Sequence, residues 1–337
     1  MSMSDNAPRS FDLLLPPVIP AVVGHEINLY FDNLIGGEAT RYDFDIRGSI
    51  GRHRNDRWTC VPEEAGDYPL AVEVYSEDGE KLAEAETVVR VKAAGAGGMD
   101  RRVLFVGDST TAAGIYTGEL LRLFSADYSG VTLLGTKGSG RNAFEGRGGW
   151  RVIDYYEKED SPFVFEGKFD FSSYMAETGY EGVDDVCIHL GINDIFHASE
   201  ENGMGELLGR AMPMLENMIA DIRRFNAAVR IGIMLIIPPS RTQDSFGRSY
   251  GVLQSRRRYK RKWFLWNREL LHRFSGRDGI DIIPLHVNID TARNMPSELT
   301  AGNARNGRME LSQSNGVHPA PEGYRQMADV LYAWLKA

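Results

Sequence analysis

The sequence predicts an α/β protein: a parallel sheet covered on both faces by helices, preceded by a smaller all-β sandwich. Three observations predict it. After residue 100, short continuous apolar runs alternate with stretches of helical periodicity, the pattern of strands buried on both faces. Before residue 97, apolar residues recur at every second position, in runs spaced roughly ten residues apart and without a helical period. Between them, residues 93–99 read Ala-Ala-Gly-Ala-Gly-Gly-Met, a small and flexible stretch suited to a linker. The chain therefore divides into a sandwich domain of residues 1–97 and an α/β domain of residues 98–337.

In the first part, strands are predicted at 27–31, 41–46, 56–61, 68–75 and 81–91, the last two joined by a turn at 77–80. This pattern argues an antiparallel sandwich. Residues 62–68, Pro-Glu-Glu-Ala-Gly-Asp-Tyr, resemble the turn-and-tyrosine entry to a late strand of an immunoglobulin-like domain. In the second part, strands are predicted at 103–106, 131–134, 184–190, 231–237 and 280–283. Helices are predicted at 112–124, 205–228, 263–274 and 321–335, the last with a proline in its first turn.

Composition bounds the function. Of the 337 residues 42% are hydrophobic and 25% charged, which excludes long disorder, collagen-like repeats and a coiled coil. The net charge of −9 argues against partners held by a basic surface, namely nucleic acid or an anionic membrane. Cys60 and Cys187 are too few for a disulfide framework or a zinc site, and both sit in apolar, strand-like runs as expected of buried free thiols. No run reaches the length of a membrane span. Leu13-Leu14-Leu15 is broken at once by Pro16-Pro17, so no signal peptide is visible. A cytoplasmic location is expected, with a secreted or periplasmic one open if a leader has been removed. There are 36 glycines, seven of them between 130 and 149, which suggests backbone kept clear around a crevice.

In a parallel sheet, ligands bind at the carboxyl ends of the strands. Four short blocks follow predicted strands or precede the last helix. Gly107-Asp108-Ser109 places a serine on a tight strand-to-helix turn, which suits a nucleophile or simply caps a helix. Gly148-Gly149-Trp150 offers a backbone amide with no Cβ in the way, or a loop tip. Gly191-Ile192-Asn193-Asp194 offers a side-chain amide, or a turn. Asn315-Gly316-Val317-His318-Pro319 offers a general base on a backbone stiffened by proline.

In this order the four blocks resemble the marker blocks of the SGNH/GDSL hydrolase superfamily, over residues 102–337. The resemblance implies a three-layer α/β/α, flavodoxin-like fold and a serine esterase needing no metal or cofactor. It implies Ser109 as nucleophile and His318 as base. The oxyanion donors would be the backbone N–H groups of Ser109 and Gly149 and the amide of Asn193. Asp108, Trp150 and Asp194 are the candidate substrate-binding residues, Asp194 also bracing the Asn193 loop and Trp150 either stacking on a sugar or packing inward.

One position departs from the family pattern. The acid expected three residues before the histidine is Asn315. An asparagine carbonyl can accept from Nδ1 and fix the tautomer but cannot offset the imidazolium charge. The expectation is a Ser-His dyad with polar support from Asn315; a backbone carbonyl, Glu310 or Asp290 are the alternatives.

Asp194, His197 and His189 lie close in sequence, but neither thiolates nor a further carboxylate stand at ligand spacing, so no metal is expected. The run 256–262, Arg-Arg-Arg-Tyr-Lys-Arg-Lys, reads as a solvated helix start or as a contact for an anionic substrate or partner. Segment 137–183 is rich in Gly, Ser, Tyr, Phe and charge, which suits a carbohydrate better than an acyl chain. A sandwich module before an SGNH domain is similar to bacterial carbohydrate esterases. The expected activity is removal of O-acetyl groups from a glycan. The alternatives are a general short-chain carboxylesterase and a catalytically weakened glycan-binding protein.

Overall fold

The computed structural model describes residues 11–95, 100–198 and 203–336. Residues 96–99 of the candidate linker, and the division at 97, lie outside the described residues.

The first part is all-β. Its strands are β1 (Val18–Val22), β2 (Ile27–Tyr30), β3 (Asp43–Gly48), β4 (Arg52–His53), β5 (Arg57–Cys60), β6 (Gly66–Tyr75) and β7 (Lys81–Lys92). They form a four-stranded sheet in the order β1-β7-β6-β3 and a three-stranded sheet β2-β5-β4. Along the second half of β7, Thr87, Val89 and Val91 are buried while the residues between them are half-exposed, as period-2 patterning requires. The pairing departs from an antiparallel sandwich in one place: β1 runs parallel to β7, with Val18 opposite Val88. Pro20 hides β1 from sequence reading, and it is tolerated because β1 is an edge strand. The hydroxyl of Tyr68 donates to the carbonyl of Glu64, at 3.1 Å.

The second part is α/β. It comprises β8 (Asp100–Gly107), α1 (Ser109–Ala112), α2 (Ile115–Ala126), β9 (Gly130–Leu134), β10 (Lys137–Ser139), β11 (Asn142–Gly146) and α3 (Val152–Glu157). There follow the β12–β13 hairpin (Val164–Phe165, Lys168–Phe169), α4 (Phe171–Thr178), β14 (Asp185–His189), α5 (Ile192–His197), α6 (Met204–Phe225) and β15 (Arg230–Met234). The rest are α7 (Gln243–Tyr250), α8 (Arg256–Phe274), β16 (Ile280–Ile283), α9 (Leu285–Asn288), the β17–β18 hairpin (Ser297–Asn303, Asn306–Gln313) and α10 (Pro321–Leu335).

Strands β8, β14, β15 and β16 pair in parallel; β9 and β11 share the other edge of β8, and only the short β10 runs antiparallel. The chain leaves β8 on one side for β9 and returns on the other as β14, which makes the β8/β14 boundary the switch point where a crevice opens. Val103-Leu104-Phe105-Val106, the apolar run that announces β8, is fully enclosed. Helices α2 and α10 pack together on one face; α3, α4, α5, α6 and α8 pack with one another on the other. Cys60 and Cys187 are free and buried. No helix among the described residues is long and apolar enough to cross a membrane.

Helix α8 corrects the reading of the basic run. It starts at Arg256, earlier than the apolar periodicity shows, and three of its cations, Arg256, Lys260 and Lys262, are buried while Arg257 is exposed. Lys260 Nζ and Arg256 Nη2 lie 2.8 and 3.0 Å from Asp32 Oδ2, and Arg241 Nη1 lies 2.7 Å from Asp32 Oδ1. Arg256 also pairs with Glu38. Lys262 donates to the carbonyl of Ala198 at 3.0 Å. So Arg256 and Lys260, charges expected in solvent, bind the β-region to the α/β layers. The same junction carries buried amides: Asn33 donates to the carbonyls of His286 and Ile289, both at 2.8 Å, and Asn288 accepts from the Asn28 N–H at 2.9 Å. These partners across the junction offset the desolvation of the buried Asn33 and Asn288 amides, although Asn33 Oδ1 and His286 Nδ1 stay unpaired among the described residues.

Candidate active site

Strand β8 ends at Gly107, where a Cβ would sit 2.0 Å from Thr111 Oγ1. Only glycine lets the chain turn from strand into helix this tightly. Asp108 then caps α1: its Oδ1 accepts from the Thr110 N–H at 3.0 Å and the Thr110 hydroxyl at 2.8 Å. Ser109 is thereby the first residue of α1. Its Oγ lies 2.8 Å from His318 Nε2, though 209 residues separate them in sequence.

Asp108 does not face a substrate. Its side chain is 0% exposed, which overturns the substrate-binding assignment; it is an internal cap. Burial pushes its carboxyl pKa up to about 6, against the hydrogen bonds from Thr110. The Thr110 hydroxyl, having donated to Asp108, accepts from Nδ1 of His189 at 2.9 Å. That fixes His189 as the Nδ1–H tautomer, and burial lowers its pKa to about 3, so it stays neutral.

His318 is held by its main chain. Asn315 Oδ1 accepts from the backbone N–H of Val317 at 3.0 Å and of His318 at 2.9 Å. The carbonyl of Gly316 accepts from the Ser240 N–H at 3.0 Å. Asn315 therefore does not touch the imidazole, and its expected role as orienter of the ring is corrected. Both lone pairs of its carbonyl serve an Asx turn. The alternative acids are elsewhere: Glu310 is exposed on β18, and Asp290 accepts from the Ala292 and Arg293 backbone and pairs with the Arg293 guanidinium. Among the described residues, none accepts from His318 Nδ1. Burial lowers the His318 pKa, leaving the ring neutral and able to take a proton.

The other two blocks meet beside Ser109. Gly149 has φ +80°, a left-handed conformation that glycine adopts without strain, and nothing stands within 4 Å of where its Cβ would be. A Cβ on Gly148 would lie 4.0 Å from the Ser109 Cβ. The Asn193 amide donates to the Trp150 carbonyl at 3.0 Å, which leaves its second N–H free. Asp194 accepts from the Val152 N–H with both oxygens, at 3.2 Å, so it joins α5 to α3 as a brace. Its carboxylate is turned to backbone and not to a substrate. Burial raises its pKa to about 7. Trp150 is half-buried. Its ring packs edge-on against Tyr155 at 4.9 Å, with Arg147 and Lys158 over it at 5.0 and 4.7 Å, so it is packed rather than presented as an open stacking platform. Trp150, Gly148 and Gly149 nonetheless line an open hollow with Arg151, Lys158 and His197.

Three supporting residues carry no legible signal in the sequence: Tyr155, Thr110 and Trp266. The Tyr155 hydroxyl sits between the carbonyls of Gly107, at 2.7 Å, and Glu145, clamping the ends of β8 and β11. Trp266 donates to the Leu190 carbonyl at 3.2 Å and fixes the end of β14. Three of the other glycines between 130 and 149 serve structure: a Cβ on Gly135 would meet the Phe144 backbone at 2.2 Å, one on Gly138 the Asn142 carbonyl at 2.0 Å and one on Gly146 the Ala112 nitrogen at 2.5 Å, so each allows a close approach of backbone. Among the described residues no group of three or more His, Cys, Asp or Glu could hold a metal ion.

A hydroxyl within reach of a neutral imidazole, beside backbone and side-chain N–H groups, can perform acyl transfer. The family model for the GDSL-like lipase/acylhydrolase matches residues 103–331. A comparison with curated proteins finds no match. Among solved structures, a family 3 carbohydrate esterase from Clostridium thermocellum is 17% identical, with a TM-score of 0.44, over 69% of this chain and 94% of that one. A family 3 carbohydrate esterase from Talaromyces cellulolyticus is 15% identical, with a TM-score of 0.41, over 70% and 96%. A possible lipase from Chitinophaga pinensis is 13% identical, with a TM-score of 0.40, over 69% and 96%. With the match spanning β8 to α10, the chain belongs to the GDSL-like lipase/acylhydrolase family.

Proposed function

We propose that the chain is a serine esterase that removes O-acetyl or other short acyl groups from a carbohydrate. The observation that carries this reading is the 2.8 Å contact between Ser109 Oγ and His318 Nε2 at the carboxyl edge of the sheet. His318 takes the Ser109 proton as Oγ attacks the ester carbonyl. The tetrahedral oxyanion is received by the N–H groups of Ser109 and Gly149 and the free amide N–H of Asn193, each such donor contributing about 2.7–4 kcal/mol. The imidazolium then protonates the leaving alcohol. Water, deprotonated by the same ring, cleaves the acyl-enzyme and restores Ser109.

The substrate reading draws on the polar walls of the hollow: Arg151, Asp154, Lys158 and His197 present hydrogen-bonding groups where a long acyl chain would need an apolar channel. We read the β-region as an immunoglobulin-like sandwich that forms a fixed wall and helps to hold a polymer rather than acting itself.

The test is hydrolysis of p-nitrophenyl acetate and acetate release from acetylated xylan, with Ser109→Ala as control. Ser109-dependent turnover of both supports the reading. Turnover of p-nitrophenyl acetate alone points to a general short-chain carboxylesterase. Turnover undiminished by Ser109→Ala would remove the mechanism.

A further inference from the structure

A cavity of about 820 Å³ lies away from Ser109, where the β-region meets the loops that follow β15 and α9. Its size is within the ~300–1,000 Å³ of small-ligand sites. Most of its charged lining is internally neutralised. Asp32 pairs with Arg241 at 2.7 Å, Asp56 with Arg57 at 2.8 Å and Asp290 with Arg293 at 2.9 Å. What remains, with neither an ion pair nor a side-chain hydrogen bond among the described residues, is one carboxylate, one guanidinium and one imidazole, Asp43, Arg54 and His53, the imidazole edge-on to Phe31 at 5.2 Å. With them stand the Asn55 amide, the Thr40 hydroxyl and the Tyr42 phenol. One wall is aromatic: Tyr42 and Phe44 are half-buried, and Phe44 stacks on Phe31 with centroids 4.7 Å apart.

We propose that this cavity is a second, non-catalytic site that binds a sugar unit of an uncharged glycan. The chemistry selects that class. An anionic or cationic ligand would meet one free charge of each sign and gain nothing net. A neutral polyol can donate to Asp43, accept from Arg54, Asn55 and Tyr42, and lay its apolar face on the aromatic wall. The cavity is also tied to the catalytic loop. The Thr291 carbonyl on its wall accepts from the Arg241 N–H at 3.0 Å and from Gln313 Nε2 at 2.7 Å, and Gln313 stands five residues before His318. The inference rests on the reading of the substrate as a carbohydrate.

The test uses the full-length Ser109→Ala protein and calorimetric titration with xylotetraose, cellotetraose and tetragalacturonate. Saturable binding of a neutral tetrasaccharide is expected. It should be about tenfold weaker in the variant that also carries Asp43→Ala and Asn55→Ala, through loss of roughly two hydrogen bonds. On the Ser109 background these two substitutions should raise KM for acetylated polymer, and leave p-nitrophenyl acetate turnover and melting temperature unchanged. Three results would overturn the proposal: no neutral tetrasaccharide binding up to about 10 mM, binding undiminished by the two substitutions, or tighter binding of tetragalacturonate. If Ser109-dependent esterase activity is intact in those cases, only the second site is lost. If the esterase assay fails while the neutral glycan binds, the second site stands and the catalytic reading is lost.

Discussion

The side-chain oxygen of Asn315 stands 2.9 Å from the backbone nitrogen of His318, and it accepts from the main chain rather than from the ring. The residue that a triad would use to orient the base instead orients the peptide that carries it. The imidazole is then positioned by the Asx turn, by the Gly316–Ser240 bond and by its contact with Ser109.

Substitutions at Asn315 separate the two roles. Asn315→Ala removes two backbone bonds and should lower kcat on p-nitrophenyl acetate by about 10–100-fold, through misplacement of the ring. Asn315→Asp keeps both acceptors and should leave kcat close to wild type. In a true triad, Asn for Asp costs about 10⁴ in rate. A gain of that order in Asn315→Asp would therefore show that position 315 does reach the ring.

The pH dependence follows from the same arrangement. With no carboxylate raising it, the His318 pKa lies below its ordinary 6.5 because burial disfavours the charged ring. The ring serves as base only when neutral, so activity should be full at neutral pH and fall as pH drops through that lowered value. The acid limb of kcat/KM is expected below pH 6.5. A limb above 7 would indicate an acid at Nδ1 that is not found among the described residues.

Strands β8, β9, β14, β15 and β16 and the four longest helices of residues 103–335 were legible because fully buried parallel strands are continuous apolar runs and covering helices keep a 3.6 period. Strands β10–β13 and the short helices α3, α4, α5, α7 and α9 were not, being too short to show an apolar run or a period. Strand β1 and the β17–β18 hairpin were not legible either: the first is broken by Pro20, and the second is an exposed arm with only two alternating apolar residues on each strand. At the site, Ser109, Gly149, Asn193 and His318 each stood in a short block after a strand or before a helix. The substrate-facing assignments of Asp108 and Asp194 failed for one reason. A carboxylate beside an active residue reads the same whether it points into the crevice or back onto a helix N-terminus, and both point back. The basic run misled because Asp32 and Glu38, which receive its charges, lie more than 200 residues away.

Asp194 should leave a signature in stability. Its pKa rises from 3.8 to about 7 in the folded protein because burial disfavours the carboxylate. The folded state thus holds a proton that the unfolded state has released between those values, and stability falls as pH rises through that window. The buried Asp108, raised to about 6, acts in the same direction. Asp194→Asn keeps an acceptor for the Val152 N–H without the charge. It should raise the melting temperature at pH 8 and change it little at pH 4; an equal shift at both would place the effect in packing.

Asp32 is the reverse case, a buried carboxylate held charged. Burial raises its pKa, but Lys260, Arg241 and Arg256 outweigh that and leave it lowered. Its contribution to stability is present above the ordinary carboxylate pKa and is lost as pH falls through the lowered value. Asp32→Ala would strand Lys260 and Arg256, whose side chains are 2% and 7% exposed, without a shared counter-charge. Breaking a buried pair in this way costs roughly 3–5 kcal/mol. The bonds cross between the β-region and α8, so the loss should lower a single cooperative transition rather than detach one part. Differential scanning calorimetry at pH 7 distinguishes these outcomes. One shifted peak supports a β-region that is an integral wall of the enzyme, and two separated peaks would make it an independent module.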